Sequence, residues 1–283
     1  MATSALPPSG SALPEFRIRA HNASVHSENK IHDDTVAQQY GFRGGLVPGV
    51  TVYAYMAVPV VRAFGPDWLE RGAMSVRLLK PFYEGEEALV RATVVEDGPD
   101  GVTLEVVAIN PAAETCAAGR ATLPAVASPA PDISRFPAVP RPSPRPPVSY
   151  EELAAREILG CIDEVFDPST GEAAQYLAEV GDDYPAHFGA DAIASSGYLI
   201  RRANSALALN VALNPWIHVS SEVTHHSHLH AGEPFSTHAR ITELFERKGH
   251  KFVRMDVLIL ASGDRPVMFV DHTAIYDVRG ADA

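Results

Sequence analysis

The chain has 283 residues but only two cysteines, Cys116 and Cys161, which lie in different halves of the sequence. Two isolated thiols cannot form a disulfide framework, and their spacing matches no cysteine-based metal site. A low cysteine content is typical of proteins from a reducing compartment. The expected location is therefore the cytoplasm.

The sequence also lacks long apolar runs and an excess of positive charge. No run approaches the roughly 18 apolar residues that a membrane-spanning helix requires, so no membrane partner is expected. Acidic residues outnumber Lys and Arg by 35 to 23, a net charge of -12. Because nucleic-acid binding needs clustered positive charge, no such partner is expected either. Residues 1–13 lack the features of a signal peptide and are predicted to form a flexible tail.

Signatures of nucleotide cofactors and of a serine nucleophile are missing as well. There is no Gly-x-x-x-x-Gly-Lys phosphate loop and no Gly-x-Gly-x-x-Gly fingerprint after a strand. A Gly-x-Ser-x-Gly elbow, which would indicate an α/β-hydrolase, is absent too. We therefore expect no cofactor and no metal ion.

An internal repeat is the main organisational feature that is present. Residues 76–85 align with residues 223–232, and Gly49 aligns with Gly197 at nearly the same offset. Each of these glycines precedes an apolar stretch of helical character. Self-similarity over so long a period indicates duplicated domains and not a solenoid.

Each copy contains one helical stretch followed by alternating, strand-like runs. The helical stretches are 50–64 and 198–213. The strand-like runs are 88–95, 102–109 and 117–123 in the first copy and 235–244, 251–260 and 266–277 in the second. One helix followed by antiparallel strands suits a hotdog unit, in which a curved sheet wraps around a central helix. The predicted fold class is therefore α+β, with two hotdog units in tandem.

A proline-rich segment separates the two copies. Residues 124–147 hold nine of the 23 prolines, and proline can neither continue a helix nor pair inside a sheet. The predicted organisation is an N-terminal unit at 14–123, a linker at 124–148 and a C-terminal unit at 149–280. Hotdog units normally pair edge to edge, which covers exposed strand edges. A double hotdog within one chain is therefore expected.

The first copy carries a short motif ahead of its helix. Asn29, Ile31 and His32 are followed by Gly49 at the helix start. This order resembles the hydratase-2, or MaoC-like, family of hotdog acyl-thioester hydratases and dehydratases. The family signature runs Asp-x-Asn-Pro-(Leu/Ile)-His and is followed by a glycine at the start of the central helix. The resemblance covers the first copy best.

The resemblance implies that water is added to an enoyl thioester, or removed from a 3-hydroxyacyl thioester, on CoA or an acyl carrier protein. In the first copy His32 would be the acid and base, because imidazole titrates near neutral pH. Asn29 would position the substrate or the imidazole. The amides of Gly49 and Val50, at the positive end of the helix dipole, would receive negative charge on the carbonyl oxygen.

Two positions of the first copy depart from the signature. Ser27 stands in place of the catalytic Asp, and Lys30 in place of the Pro. A serine hydroxyl can bond to water but is no useful base at neutral pH. Glu28 and His26 are the nearby groups that could substitute for the missing carboxylate.

The second copy carries the complementary half of the signature. Asp182, Pro185 and His187 keep the family spacing, whereas Tyr184 replaces the Asn. Asp182 and His187 would take the proton-transfer roles there, beside the amide of Gly197. The alternative is a structural loop in which an Asp caps a turn. Which copy holds the working site stays open.

Other functions remain as alternatives. A hotdog thioesterase commonly uses a carboxylate on or beside the central helix, and residues 50–64 contain none. A binding or scaffolding role, or an isomerase or cyclase of a biosynthetic intermediate, also fits. For His32 the structural alternative is a packing residue beside a helix that Asp33 or Asp34 caps. The expected partner is an acyl thioester, with homodimerisation as a further option.

A histidine-rich stretch follows the second helix. His226, His228 and His230 recur at a period of two, so on a strand they would share one face. Three imidazoles on one face could bind zinc or copper, but a solvated or channel-lining face is the favoured interpretation. The aligned segment of the first copy has no ligand chemistry.

Four polar residues of the second copy allow a similar choice. His218 and Ser220 alternate on one side of a strand, where they could face a pocket or, as we favour, satisfy each other or the backbone. Arg201 and Arg202 could meet a phosphate of CoA or phosphopantetheine. A solvated helix face is the favoured alternative for the two arginines.

Overall fold

The computed structural model describes residues 8–169 and 171–280, and their ten strands form one antiparallel sheet. The first copy contributes β1 (Phe16–Arg19), β2 (Ala73–Leu78), β3 (Glu87–Gly98), β4 (Gly101–Ile109) and β5 (Thr115–Pro124). The second copy contributes β6 (Ile158–Val165), β7 (Ile217–His225), β8 (Pro234–Arg247), β9 (His250–Ala261) and β10 (Arg265–Asp277).

Each copy has one long helix among several short ones. The helices of the first copy are α1 (Asp34–Gln39), α2 (Gly49–Phe64) and α3 (Pro66–Arg71). The helices of the second copy are α4 (Tyr150–Ala154), α5 (Gly171–Val180) and α6 (Ser196–Ala208). Short 3-10 turns span Lys30–His32, Ile133–Arg135 and Pro185–His187.

The two copies meet at the centre of the sheet, where β2 pairs with β7. The strand order is β1-β3-β4-β5-β2-β7-β10-β9-β8-β6. In the central pair Met74 lies opposite Val223, and Val76 lies opposite Ser221. Each half of the sheet packs on its own long helix, α2 or α6. The predicted α+β, double hotdog architecture is confirmed.

Each of the six predicted strand runs lies within one observed strand. These strands are β3, β4, β5, β8, β9 and β10. In β4, buried residues alternate with half-buried or exposed ones along the whole strand. The strands β1, β2 and β6 were not predicted. β1 and β6 lie at the two ends of the sheet, whereas β2 lies at its centre.

The helix α2 is buried on nearly all sides. Its buried residues include Thr51 and Pro59 as well as the apolar ones, which is typical of a helix enclosed by a sheet. The prediction of a helix at residues 50–64 is confirmed. Among the residues that the structure describes, no helix is both long and apolar enough to cross a bilayer.

The helix α6 is shorter than the predicted stretch 198–213, because it ends at Ala208. Beyond it, the side chain of Asn210 binds the backbone of β6. Its Oδ1 accepts from the amide of Gly160 at 2.7 Å, and its Nδ2 donates to the carbonyl oxygen of Gly160 at 2.9 Å. These long-range bonds compete with helix continuation.

The segments outside the two sheet halves are packed against them. Leu13 donates through its amide to Ala92, and Val94 donates to Ser11, so the end of the predicted tail pairs with β3. Residues 1–7 lie outside the described residues. In the proline-rich segment, Phe136 is buried against β9.

The two long helices touch at a glycine. A Cβ added to Gly197, in the first turn of α6, would lie 2.5 Å from the Cβ of Ala54 in α2. Real Cβ atoms do not approach so closely. Glycine at residue 197 therefore allows the close approach of the helices.

Replacing this glycine is expected to destabilise the fold. Gly197→Ala should lower the free energy of unfolding by about 1–3 kcal/mol, because overpacking a dense core costs about that much. Thermal unfolding measures the change. Gly98→Ala is the control, since a Cβ there meets nothing within 4 Å. A melting temperature that Gly197→Ala leaves unchanged would contradict the close helix contact.

Candidate active site

His32 ends the 3-10 turn Lys30–His32, and its side chain is buried. Asn29 precedes the turn, and its Oδ1 accepts a hydrogen bond from the amide of Ile31 at 3.3 Å. The His32 Nδ1 donates to the carbonyl oxygen of Leu46 at 2.6 Å. Because a carbonyl can only accept, Nδ1 carries the hydrogen and the neutral ring keeps a lone pair on Nε2.

Asn29 orients the imidazole and connects it to the second copy. Its Nδ2 lies 3.3 Å from His32 Nε2 and also donates to the carbonyl oxygen of Trp216 at 2.9 Å. The amide of Trp216 donates to Asn29 Oδ1 at 3.1 Å. The carboxamide therefore contacts the His32 imidazole and also forms hydrogen bonds with the backbone of the second copy. This geometry makes Asn29 a positioning residue.

The two carboxylates after His32 have structural partners. Asp33 Oδ1 accepts from the amide of Val36 at 3.0 Å and so caps α1. Asp34 Oδ1 accepts from the amide of Gly45 at 2.7 Å. The second bond brings the glycine-containing loop back beside His32, directly before α2 begins.

The first turn of α2 contains two backbone amides, those of Gly49 and Val50, that are available to a bound group. Thr51 donates to the carbonyl oxygen of Pro48, whereas the amides of Gly49 and Val50 have no partner among the described hydrogen bonds. A Cβ on Gly49 would lie 2.2 Å from Leu78 Cδ1 and 2.7 Å from His218 Nδ1. Only glycine fits at this position, because the side chains of Leu78 and His218 occupy the space that a Cβ would need.

A cavity of about 280 Å³ lies against His32 and this helix start. Its walls come from both copies. The first copy contributes residues that include Asn29, His32, Gly49, Val52, Leu78 and Phe82, and the second Asn204, Trp216, Ile217, His218, Phe252 and Ile275. No Asp or Glu is among the described residues that line it.

A second cavity, of about 350 Å³, lies on the other side of His32. It shares Asn29, His32, Asn204 and Trp216 with the first cavity. The Oδ1 of Asn204 is buried and has no hydrogen-bond partner within the described chain. His32 therefore stands where two cavities meet.

The substitutes considered for the missing carboxylate form no hydrogen bond or ion pair with His32 in the described part of the chain. Glu28 is exposed and pairs with Arg145 Nη1 at 2.9 Å, and His26 is exposed. Ser27 donates to the carbonyl oxygen of Asn29 at 3.3 Å and lines the second cavity. Glu28 nevertheless lines the second cavity together with His32, so the replacement of the Asp by Glu28 or His26 stays a prediction.

The motif of the second copy repeats the same turn. The His187 Nδ1 donates to the carbonyl oxygen of Ile193 at 2.8 Å, as His32 donates to Leu46. Asp182 Oδ2 lies 3.4 Å from His187 Nε2, in the place that Asn29 takes in the first copy. Both side chains are buried, and neither lines the two cavities around His32.

Protein side chains fill the space at the start of α6. The Ser196 hydroxyl bonds to His225 Nε2 at 2.9 Å and to the Tyr53 hydroxyl at 2.8 Å. His225 Nδ1 donates to the carbonyl oxygen of Gly72 at 3.1 Å, and the ring of Trp68 packs on it with centroids 4.6 Å apart. All of these side chains are buried.

The histidine-rich stretch is not a strand face. β7 ends at His225, so His226, His228 and His230 follow the strand. His228 Nε2 donates to the carbonyl oxygen of Pro66 at 2.8 Å. Across residues 8–169 and 171–280, no three potential metal ligands come together. The three histidines therefore share no strand face, because β7 ends one residue before them, although the rings of His228 and His230 lie 5.9 Å apart.

The two arginines of α6 are held by carboxylates. Arg202 is buried, with its Nε 2.8 Å from Glu164 Oε2 and its Nη2 2.6 Å from the Tyr198 hydroxyl. Arg201 is partly exposed and lies 3.2 Å from Glu172. A solvated face does not fit Arg202, which is buried. Both arginines line the second cavity beside His32, so a phosphate-binding role stays a prediction.

His218 is a site residue whose partner the sequence pattern misassigned. Its Nε2 bonds to the hydroxyl of Ser221 at 2.9 Å, whereas strict alternation favoured Ser220. The pairing of β7 with β10 shifts register beside Val219. A bulge of this kind re-aims the side chains that follow it, and no single-strand pattern predicts it.

Burial sets the charge of the histidines in this region. It lowers the pKa of His32 despite the opposing hydrogen bond to Leu46. It lowers the pKa of His218 and of His225 to about 4, and that of His272 falls well below its usual value. All four rings are therefore neutral near pH 7.

Comparison with solved structures identifies neighbours that span almost the whole chain. A protein from Chloroflexus aurantiacus, named as a candidate MaoC domain dehydratase, shares 16% identity at a TM-score of 0.65, covering 96% of each chain. A Mycobacterium tuberculosis protein described as a double hotdog has the same identity and TM-score, covering 95% of this chain and 96% of its own. A candidate oleoyl thioesterase from Lactobacillus plantarum shares 10% identity at a TM-score of 0.53, covering 95% and 98%. No family model and no curated protein matches the sequence. The neighbours establish a common fold.

The buried neutral histidines predict a loss of stability below pH 6.5. The unfolded chain binds protons near pH 6.5, but the folded pKa of His225 is about 4, so protons favour the unfolded state between these values. The stabilisation is complete above pH 6.5 and is lost as the pH falls towards 4. Urea unfolding at pH 7 and pH 5 measures it.

The variant His225→Gln isolates one of these groups. Its free energy of unfolding should change by about 2 kcal/mol less between pH 7 and pH 5 than that of the natural chain. His26→Gln, at an exposed position, should retain the full pH dependence. Equal pH dependence in all three proteins would contradict a neutral, buried His225.

Proposed function

We propose that the chain is an acyl-thioester hydratase or dehydratase whose working site is built on the first copy. The observation that carries the proposal is the position of His32, which lines one cavity together with Gly49 at the start of α2. A proton-transfer group and helix amides on one cavity are the two parts that this chemistry requires. The carrier of the acyl group is CoA or an acyl carrier protein.

Each part has a defined role in the proposed reaction. The amides of Gly49 and Val50 bind the thioester oxygen, where negative charge develops as water adds to the double bond. After a small movement away from Asn29, the Nε2 of His32 takes a proton from water as the water oxygen bonds to the β-carbon. The same nitrogen then gives this proton to the α-carbon as the enolate collapses to the thioester, and dehydration is the reverse. The acyl chain occupies the apolar part of the cavity near Val52.

The second copy supports this site without repeating it. Its Asp182 and His187 are buried away from the cavities, and His225 and Tyr53 fill the region at the start of α6. The second copy instead supplies the far wall of the working cavity, which includes Trp216. We propose that it shapes the acyl-binding space.

A second candidate function is binding of an acyl thioester without turnover. Two observations favour it: no carboxylate is found among the described residues that line the first cavity, and the Asn29 amide faces the lone pair of His32. Hydrolysis of the thioester is a third outcome, because some fold neighbours are named as thioesterases. The same assay separates all three.

Loss of the His32 imidazole should abolish most of the activity. His32→Gln is expected to lower kcat/KM for crotonyl-CoA or a longer enoyl-CoA by about 100- to 10,000-fold, as for other acid–base groups. His187→Gln is the matched control, since it removes the equivalent ring of the other copy. Enoyl absorbance follows hydration, and a thiol reagent follows hydrolysis.

The pH profile provides a second readout for the same residue. Because burial lowers the pKa of His32, the acid limb of kcat/KM should have its midpoint below pH 6.5. Equal turnover by the natural chain, His32→Gln and His187→Gln would refute the hydratase proposal, and so would an absence of turnover by the natural chain. Tight binding with no turnover would establish the second candidate.

Restoring the family carboxylate should increase the rate. Ser27→Asp places an acid at the signature position beside Asn29, and such a group typically contributes about 100- to 10,000-fold. We expect kcat to rise at least about tenfold, since the surrounding site has not adapted to it. Ser24→Asp adds the same charge elsewhere on the second cavity. A rise with both variants, or with neither, would contradict a specific role at residue 27.

A further inference from the structure

His218 is a second imidazole beside the start of α2, and the family motif does not include it. It belongs to the second copy and lines the same cavity as His32. The side chain is 5% exposed, and its Nδ1 has no hydrogen-bond partner in the described chain. That nitrogen lies 2.7 Å from the position of a Cβ on Gly49.

The other nitrogen of His218 belongs to a buried chain of hydrogen bonds. His218 Nε2 and His272 Nδ1 each lie 2.9 Å from the hydroxyl oxygen of Ser221. The two rings stack with centroids 4.4 Å apart. Ser221 has a single hydroxyl hydrogen, so it donates to one ring and accepts from the other.

Access to the cavity decides between the two arrangements. If His218 donated to Ser221, His272 would carry its hydrogen on Nε2, which is fully buried and has no partner. A buried N–H without an acceptor is among the most costly of unsatisfied groups. If His272 donates instead, the hydrogen of His218 lies on Nδ1, beside Gly49, and this N–H also lacks a partner in the described chain. His218 lines the cavity and His272 is not among its described lining residues, so the Nδ1–H of His218 is the one that can find an acceptor in a bound ligand.

We propose that His218 Nδ1–H donates a hydrogen bond to the thioester carbonyl oxygen, as a third donor beside the amides of Gly49 and Val50. This inference rests on the proposed function and assigns the second copy a direct part in it. Ser221 and His272 are positioning residues, because they hold the hydrogen on Nδ1 without touching substrate.

The electrostatic environment keeps this donor neutral. Burial lowers the pKa of His218 to about 4, opposed only in part by the backbone of Ser220. The positive end of the α2 dipole disfavours a cation at the same place. A neutral imidazole beside a helix start can polarise a carbonyl without exchanging a proton.

Isotope-edited infrared spectroscopy tests the inference without turnover. Butyryl-CoA labelled with carbon-13 at its carbonyl is a saturated ligand that cannot be hydrated. Bound to the natural chain, its carbonyl stretch should move to lower frequency than in water. His218→Leu should lose a large part of that shift, and Ser221→Ala a smaller part. His226→Gln, outside this cavity, is the control and should retain it.

Kinetics provide the companion measurement. Removing one donor of this kind typically lowers kcat by about 100- to 1,000-fold, so His218→Leu should show that loss in enoyl-CoA hydration with a smaller change in KM. Nitrogen-15 NMR of the natural chain adds a test that needs no variant, so it is valid even where a substitution prevents folding. It should place the hydrogen of His218 on Nδ1 near pH 7.

The outcomes separate this inference from the proposed function. A carbonyl shift that depends on His218 without hydration refutes the hydratase and upholds the donor. Hydration with an equal shift in His218→Leu and the natural chain upholds the hydratase and overturns the donor. No thioester binding, or a His218 hydrogen on Nε2, overturns the inference as well.

Discussion

The antiparallel pairing of β2 with β7 is the contact on which the rest of the molecule depends. It joins two hotdog units into one sheet and brings the start of β7 beside the helix start of the first copy. Trp216 can then bind Asn29, and His218 can pack on Gly49. Without this pairing the first copy would hold an imidazole and a helix terminus but only one wall of a cavity.

The two copies share a local design but differ in what surrounds it. In both, a histidine in a 3-10 turn donates through Nδ1 to a backbone carbonyl, which leaves Nε2 towards a polar neighbour. That neighbour is Asn29 in one copy and Asp182 in the other. At the start of α6 the space is occupied by His225, whereas at the start of α2 it is a cavity. The two motifs are similar, so the difference in access comes from the side chains around them: they fill the space beside α6 and leave a cavity beside α2.

Local and periodic features could be predicted from the sequence, and features that depend on remote partners could not. The six strand runs and α2 followed from apolar periodicity, because one buried face or one enclosed helix leaves a regular pattern. The end of α6 did not, since Asn210 binds β6 from far along the chain. The ion pair of Glu28 with Arg145 could not be predicted either, because the two residues lie far apart in the chain. Arg202 was assigned to a surface because its carboxylate partner is distant in sequence.

The sequence by itself determined the fold class, the duplication and the positions of Asn29, His32 and Gly49 ahead of a buried helix, because each depends on residues close together in the chain. The tertiary structure alone decided which residues of the second copy reach that site. A shift in register beside Val219 turned His218 towards Ser221 and the cavity. Side-chain direction on a strand depends on such shifts and on the partner strand, and neither is encoded in a local pattern.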